Sequence, residues 1–112
     1  IQTKRNTPDC VTGGIHRFFV TGDITPDASY SMARLLESHE PCRNSTGRVV
    51  APVTVSLRSG GGFLKDGYSM GETFRKYNVT TVIENKQSCA SSCAVSFLGG
   101  SKRIIEDGGS IL

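Results

Sequence analysis

A serine surrounded by small residues is the best candidate for chemistry in this sequence. Ser91 lies within residues 87–100, QSCASSCAVSFLGG, where small residues flank it, apolar residues follow it and two glycines end the stretch. Small neighbours let a backbone turn sharply, so the pattern predicts a serine where a loop turns into a helix. The first N–H groups of a helix lack intrahelical partners and can stabilise an oxyanion beside the hydroxyl.

The same stretch also has a purely structural interpretation. Serine is a common N-cap, and helix starts rich in Ala, Ser and Cys often serve only to let helices pack closely. Taken alone, residues 87–100 therefore favour a structural role for Ser91. A second loop, upstream in the chain, changes this balance.

The second loop is a glycine triplet. Residues 60–62 follow the run 49–57, which we predict as the strongest strand, and precede a predicted helix over 63–77. A Walker-type phosphate loop needs a Lys-Ser/Thr pair and the dinucleotide fingerprint needs Gly-x-Gly-x-x-Gly, and this loop has neither. Two uses remain, a tight turn and the donation of exposed N–H groups to an oxyanion.

The hydrophobic pattern predicts alternating strands and helices. Strands are predicted at 15–25, 49–57, 79–84 and 102–106, helices at 28–40, 63–77 and 91–98, and the start of a further strand at 110–112. Connections of this length fit right-handed crossovers onto a mostly parallel sheet. The functional crevice of such sheets lies at the carboxyl ends of the strands, where 59–62 and 88–92 both fall. Gly67 and Gly71 would let their helix pack closely on the sheet.

Length and composition limit the alternatives. A chain of 112 residues with 37% hydrophobic content fits one domain with a modest core. We predict an N-terminal arm or loop at residues 1–14 and the α/β domain at 15–112. The net charge of +3 comes from scattered basic residues, which gives no indication of nucleic-acid binding. No apolar run reaches the length of ~18 residues that a membrane span needs.

The cysteines Cys10, Cys42, Cys89 and Cys93 suit disulfides better than a metal site, because they show no recognised ligand spacing. We favour a Cys10–Cys42 bond, since each of the two lies in a polar loop. Within a regular helix, the spacing of Cys89 and Cys93 is too wide for an unstrained bond, but Cys89 is expected to precede the helix, so that bond stays open. Even one disulfide implies an oxidising compartment.

The two loops together resemble the Clp protease and crotonase-like superfamily, in particular its predicted periplasmic serine-protease branch. Residues 22–24, Gly-Asp-Ile, resemble the element that ends the first strand of that superfamily, 53–62 resemble its strand and glycine loop, and 89–94 resemble its nucleophile loop. Residues 99–103 are similar to the Gly-x-x-Arg after the helix. Covering residues 16 to 112, the resemblance implies a spiral of β-α units with a mostly parallel sheet.

The resemblance also implies a function, that of an exported serine hydrolase, a peptidase acting on peptides or proteins. Ser91 takes the place of the nucleophile, and the backbone N–H groups of Ser92 and of Gly62, or alternatively Gly61, take the places of the oxyanion donors. Gly60 stands where the family usually has proline, which makes the loop more flexible. No metal or organic cofactor is implied. The resemblance does imply a homo-oligomer and a periplasmic or secreted location.

The catalytic histidine of the superfamily lies on the strand that residues 110–112 would begin, and neither His16 nor His39 falls there. We expect the base in a segment after Leu112, so that 15–112 form an incomplete domain. The alternative is a catalytically inactive binding or scaffold domain, in which Ser91 is only a helix cap. A third interpretation is acyl-thioester chemistry, as in crotonases. The presence of Ser91 and the expected export both argue against it.

Overall fold

The computed structural model describes residues 16–38, 42–43, 46, 49–51 and 53–112. The predicted N-terminal arm at 1–14 lies outside the described residues, as do the side chains of a Cys10–Cys42 bond. In chain order the elements are β1 (His16–Thr21), α1 (Pro26–Ser38), β2 (Cys42–Arg43), β3 (Val49–Ala51), β4 (Val53–Arg58), α2 (Leu64–Lys76), β5 (Thr80–Ile83), β6 (Ser88–Cys89), α3 (Ser92–Phe97), β7 (Lys102–Ile105) and β8 (Ser110–Ile111).

A parallel sheet forms the centre of the fold. Its strands lie in the order β1, β4, β5, β7, and every neighbouring pair runs parallel. Val55 of β4 pairs with Phe18 of β1 on one side and with Thr81 of β5 on the other. Because spatial order follows chain order, each crossover returns the chain to the strand next in line. The predicted α/β class, with a mostly parallel sheet of β-α units, is confirmed.

The hydrophobic core lies between this sheet and the helices. Phe18 and Val20 alternate along β1 and are both buried, as expected for side chains on one face of a strand. The core cluster further includes Met32 and Leu36 from α1, Val55 and Leu57 from β4, Met70 and Phe74 from α2, Ile83 from β5 and Phe97 from α3. Met32 and Leu36 are four positions apart, as are Met70 and Phe74, so each pair marks the buried face of its helix.

The predicted strand over 49–57 is wrong in its extent. Residues 49–51 form β3, which pairs antiparallel with β2, whereas residues 53–58 form β4 of the main sheet. Pro52 separates the two runs in the sequence. A proline cannot donate a ladder hydrogen bond, so a single strand running through residues 49–57 would lose one.

A second set of short parallel pairings links the segments that follow the long strands. Ile24, after β1, pairs with Gly62, and Ser59, after β4, pairs with Cys89 of β6. β6 in turn pairs with β8. Each of the first three long strands is therefore followed by a short paired segment and then by a helix. These pairings fix how the segments after the strands lie relative to one another.

Helices α2 and α3 approach closely along small residues. A Cβ atom added to Gly99 would overlap the backbone of Gly71, and one added to Gly67 would overlap the carbonyl oxygen of Ser92. The glycines of α2 therefore pack against α3 and the turn after it, and the expected close packing of Gly67 and Gly71 on the sheet is wrong.

Replacement of Gly67 by alanine tests this contact. At an unconstrained helix position the change would stabilise by about 1 kcal/mol. Here the new methyl would also lie 2.8 Å from the Ser92 Cβ, and overpacking of this kind costs about 1–3 kcal/mol. The nearest atom to the new methyl is the backbone carbonyl oxygen of Ser92, which cannot rotate away, so the cost falls in the upper half of that range. After the gain of about 1 kcal/mol, we expect Gly67→Ala to lower the free energy of unfolding by about 1–2 kcal/mol in urea denaturation. Ser69→Ala, an exposed change in the same helix, should stay within about 0.5 kcal/mol. Equal stability of Gly67→Ala and the parent chain would contradict the close approach.

Candidate active site

Ser91 lies in a sharp turn between β6 and α3. Its backbone angles are φ 56° and ψ −121°, and the N–H of Cys93 donates to the carbonyl of Ala90 at 3.0 Å. Residues 90–93 thus form a β-turn in which Ser91 has the angles of the first central residue of a type II′ turn, a position that usually carries glycine. A residue with a side chain is strained there by about 1–3 kcal/mol.

Backbone hydrogen bonds hold this turn on both sides. The N–H of Ala90 donates to the carbonyl of Ser59 at 2.9 Å, and the N–H of Ser91 donates to the carbonyl of Leu112 at 3.0 Å. At the start of the helix, the N–H of Val95 donates to the carbonyl of Ser91 at 3.2 Å. The main chain of Ser91 is therefore anchored to the strand-end segments and to the helix.

A disulfide closes the same turn. Cys89 and Cys93 are bonded, with their Cα atoms 5.2 Å apart, so the bond that the spacing left open is present. Cys89 belongs to β6 and Cys93 to the first turn of α3, and this bend in the chain brings them closer than one regular helix would. Both are fully buried. The covalent ring encloses residues 90–92 and limits the motion of Ser91.

The side chain of Ser91 is exposed and does not cap the helix. A capping serine accepts a hydrogen bond from an N–H two or three residues later, and Ser91 occupies the N-cap position without such a bond. Within the described residues its hydroxyl makes no hydrogen bond. The hydroxyl is thus available to an incoming molecule.

The glycine loop lies directly against Ser91. A Cβ atom on Gly61 would come within 2.8 Å of the Ser91 Cβ and 3.3 Å of its Oγ. The close contact leaves no room for a side chain at this position, and the Gly61 φ of 117° also favours glycine. The two loops that the sequence placed at one edge of the sheet are therefore in contact.

Ser59 shapes the glycine loop, a role that sequence reasoning missed. Its buried hydroxyl accepts from the N–H of Gly61 at 3.1 Å and donates to the carbonyl of the same residue at 3.2 Å. On the other side, the N–H of Ile24 donates to the Gly61 carbonyl at 2.8 Å, and the N–H of Phe63 donates to the Ile24 carbonyl at 2.9 Å. A serine two residues before a glycine is a signal for such a turn.

The predicted oxyanion donors differ in how their N–H groups are used. The N–H of Gly61 is occupied by Ser59. Those of Gly62 and Ser92 donate to no acceptor in the described part of the chain. Gly62 is exposed, whereas Ser92 is fully buried, and a buried N–H without an acceptor is rare in folded proteins. The Gly62 N–H is therefore open to an anion, whereas an anion reaches the Ser92 N–H only when the neighbouring chain moves aside.

The histidines do not complete the site within the described residues. His16 begins β1, so it lies at the amino end of the parallel strands, opposite to the edge where Ser91 is found. His39 lies outside the described residues. Among the described residues, no group of His, Cys, Asp and Glu side chains is placed to hold a metal ion.

Fold and site together define the class of this protein, an α/β protein of parallel β-α units with a disulfide-closed serine turn at the carboxyl edge of its sheet. Neither protein-family models nor curated proteins give a match to the sequence. Of the helices in the described residues, none combines the length and apolar character needed to cross a membrane. Function must therefore be inferred from the geometry of the site itself.

The strain at Ser91 can be measured by replacing it with glycine and with alanine. Glycine relieves about 1–3 kcal/mol of backbone strain in the folded state. It also makes the unfolded chain more flexible, which lowers the free energy of unfolding by less than that amount. We expect Ser91→Gly to unfold with a free energy about 1 kcal/mol higher than Ser91→Ala in urea denaturation. At Ser88, which has no positive φ, the order should reverse by about 0.5–1 kcal/mol. A less stable glycine variant at position 91 would contradict the strained geometry.

Proposed function

We propose that this protein is a serine hydrolase, a peptidase with peptides or proteins as substrates, in which Ser91 is the nucleophile. The observation that carries the proposal is the strained backbone of Ser91, at φ 56° and ψ −121°, at a turn from a short strand into a helix. Such strain persists only where the surrounding structure imposes it, and it is typical of nucleophiles presented at strand-to-helix turns. The Ser91 hydroxyl, which makes no hydrogen bond among the described residues and lies beside the glycine loop, adds support.

In this proposal the N–H groups of Gly62 and Ser92 stabilise the oxyanion of the tetrahedral intermediate. Loss of one such donor typically costs about 3–4 kcal/mol in the reaction barrier. The occupied N–H of Gly61 favours Gly62 as the donor from the glycine loop. Because Ser92 is fully buried, an oxyanion reaches its N–H only when the neighbouring chain moves aside, whereas Gly62 is exposed.

The general base in this proposal is a histidine that follows Leu112 in the gene product. The carbonyl of Leu112 accepts the hydrogen bond of the Ser91 N–H, so a segment after Leu112 would begin beside the nucleophile. The histidine takes the proton of the Ser91 hydroxyl as its oxygen attacks the scissile carbonyl, and then gives that proton to the leaving amine. Water hydrolyses the acyl-enzyme and frees Ser91.

The repeated strand, short segment and helix support a Clp/crotonase-like spiral as the finer description of the fold. We further propose that the protein assembles into a homo-oligomer, as that resemblance implies, and that it works in a periplasm or outside the cell. The disulfide between Cys89 and Cys93 supports the location, because such bonds persist in oxidising compartments.

Labelling with a fluorophosphonate probe tests the nucleophile. We expect the full-length gene product to be labelled and its Ser91→Ala variant not to be, because the probe reacts only with an activated serine. Ser88→Ala, an exposed change in β6, serves as the matched control and should keep its label. No labelling of a folded full-length protein would favour a non-catalytic binding or scaffold domain instead.

The disulfide offers an independent test of how the turn is held. Closing a short loop by a disulfide stabilises by about 2 kcal/mol in the chain-entropy description. We expect reduction, or the double change Cys89→Ala and Cys93→Ala, to lower the free energy of unfolding by about that amount. Labelling of Ser91 should slow in parallel, because the turn loosens. An unchanged labelling rate after verified reduction would show that the bond does not orient Ser91.

A further inference from the structure

A polar cavity lies at the carboxyl ends of the strands, apart from Ser91. Its volume is about 370 Å³, and its lining includes Phe19, Ser56, Arg58, Glu84 and Glu106. Phe18 and Leu57 belong to the core that the helices cover, and side chains alternate along a strand. Phe19, Ser56 and Arg58 therefore face the opposite side of the sheet. Neither Ser91 nor the glycine loop lines this cavity.

Charged side chains that form no ion pair with one another among the described residues lie at the rim of the cavity. Arg58 ends β4, while Glu84 and Glu106 directly follow β5 and β7, so adjacent strands bring the three together. Within the described part of the chain, none of them forms an ion pair with another. Glu106 accepts a hydrogen bond from the backbone N–H of Asn85 at 3.0 Å, which leaves its second oxygen free. The rim therefore presents one guanidinium and two carboxylates.

A buried hydroxyl in the cavity wall has no hydrogen-bond partner in the part of the chain that the structure describes. Ser56 is 3% exposed, and its Oγ makes no hydrogen bond among the described residues. Buried hydroxyls in folded proteins are normally hydrogen-bonded, because an unpaired one is destabilising. Ser56 lines the cavity, so a polar group of a bound ligand would satisfy its hydroxyl once a neighbouring side chain moves aside, because the Oγ is itself buried. This unsatisfied group points to a ligand independently of the charges.

We propose that this cavity binds a small zwitterion of the size and charge of a basic amino acid. Arg58 binds its carboxylate in a bidentate manner, and Glu84 and Glu106 bind its cationic nitrogen groups. Phe19, half-buried, packs against the aliphatic chain, and the Ser56 hydroxyl bonds a polar group of the ligand. The net charge of the three rim groups is −1, which a ligand of charge +1 neutralises. The site does not depend on the proposed hydrolase activity.

Calorimetry of the intact chain with L-lysine tests the proposal. For a ligand with so few atoms we expect saturable binding with a dissociation constant of about 0.1–1 mM. L-Norleucine lacks the side-chain ammonium and cadaverine lacks the carboxylate, so each should bind about tenfold more weakly or not at all. Absence of saturable lysine binding, or equal binding of lysine and norleucine, would overturn the proposal.

Substitutions then assign each contact. Glu84→Gln and Glu106→Gln should each weaken lysine binding about fivefold to tenfold. Arg58→Met should weaken lysine binding by a similar factor without weakening that of cadaverine, which has no carboxylate for Arg58 to bind. Glu72→Gln and Arg75→Met, exposed changes on α2, are the matched controls and should bind lysine like the parent. Lysine binding that survives all three rim changes would place the ligand elsewhere and overturn the assignment.

Discussion

The candidate site depends on the pairing of the short segments that follow the long strands. In a parallel sheet all strands end at the same edge, but that alone brings loops only near each other. Here the loops are hydrogen-bonded to one another, Ile24 with Gly62 and Ser59 with Cys89. These pairings press Gly61 against Ser91 and leave the N–H groups of Gly62 and Ser92 without partners in the described part of the chain. A side chain at either glycine would separate the loops.

The turn at Ser91 combines strain with strong anchoring. The serine occupies angles suited to glycine, which costs about 1–3 kcal/mol. A buried disulfide, two backbone hydrogen bonds on the strand side and one to α3 hold it in that conformation. The covalent ring alone contributes stability of a similar size, about 2 kcal/mol. The strain at Ser91 is therefore sustained by a disulfide within the core and by hydrogen bonds to chain segments at Ser59 and Leu112.

Much of this arrangement follows from the sequence, because hydrophobic periodicity orders the strands and helices and the parallel-sheet rule places both loops at one edge. The features that escaped prediction depend on partners far apart in the chain. Gly67 and Gly71 signal a close approach, but the sequence does not say that the neighbour is α3. The run 49–57 looks continuous, yet residues 49–51 pair with β2. The pairing of β6 with Ser59 and with β8 arises only once the loops have met, whereas the bonds of Ser59 to Gly61 are local and follow a turn signal that the sequence does contain.

The order of the strands has a consequence for how this chain could change in evolution. Each unit contacts mainly the one before it and the one after it, as in stacked repeats. The segments after the strands are bonded to their neighbours, so an insertion there would break the pairing around Gly62 or Cys89. Residues 77–79 and 98–101 are also constrained, because the N–H of Ser101 donates to the carbonyl of Val79 and Gly99 packs on Gly71. Between α1 and β4, by contrast, the chain already holds the β2–β3 pair outside both networks. New sequence is therefore expected to accumulate between α1 and β4, while the strand-to-helix connections keep their length.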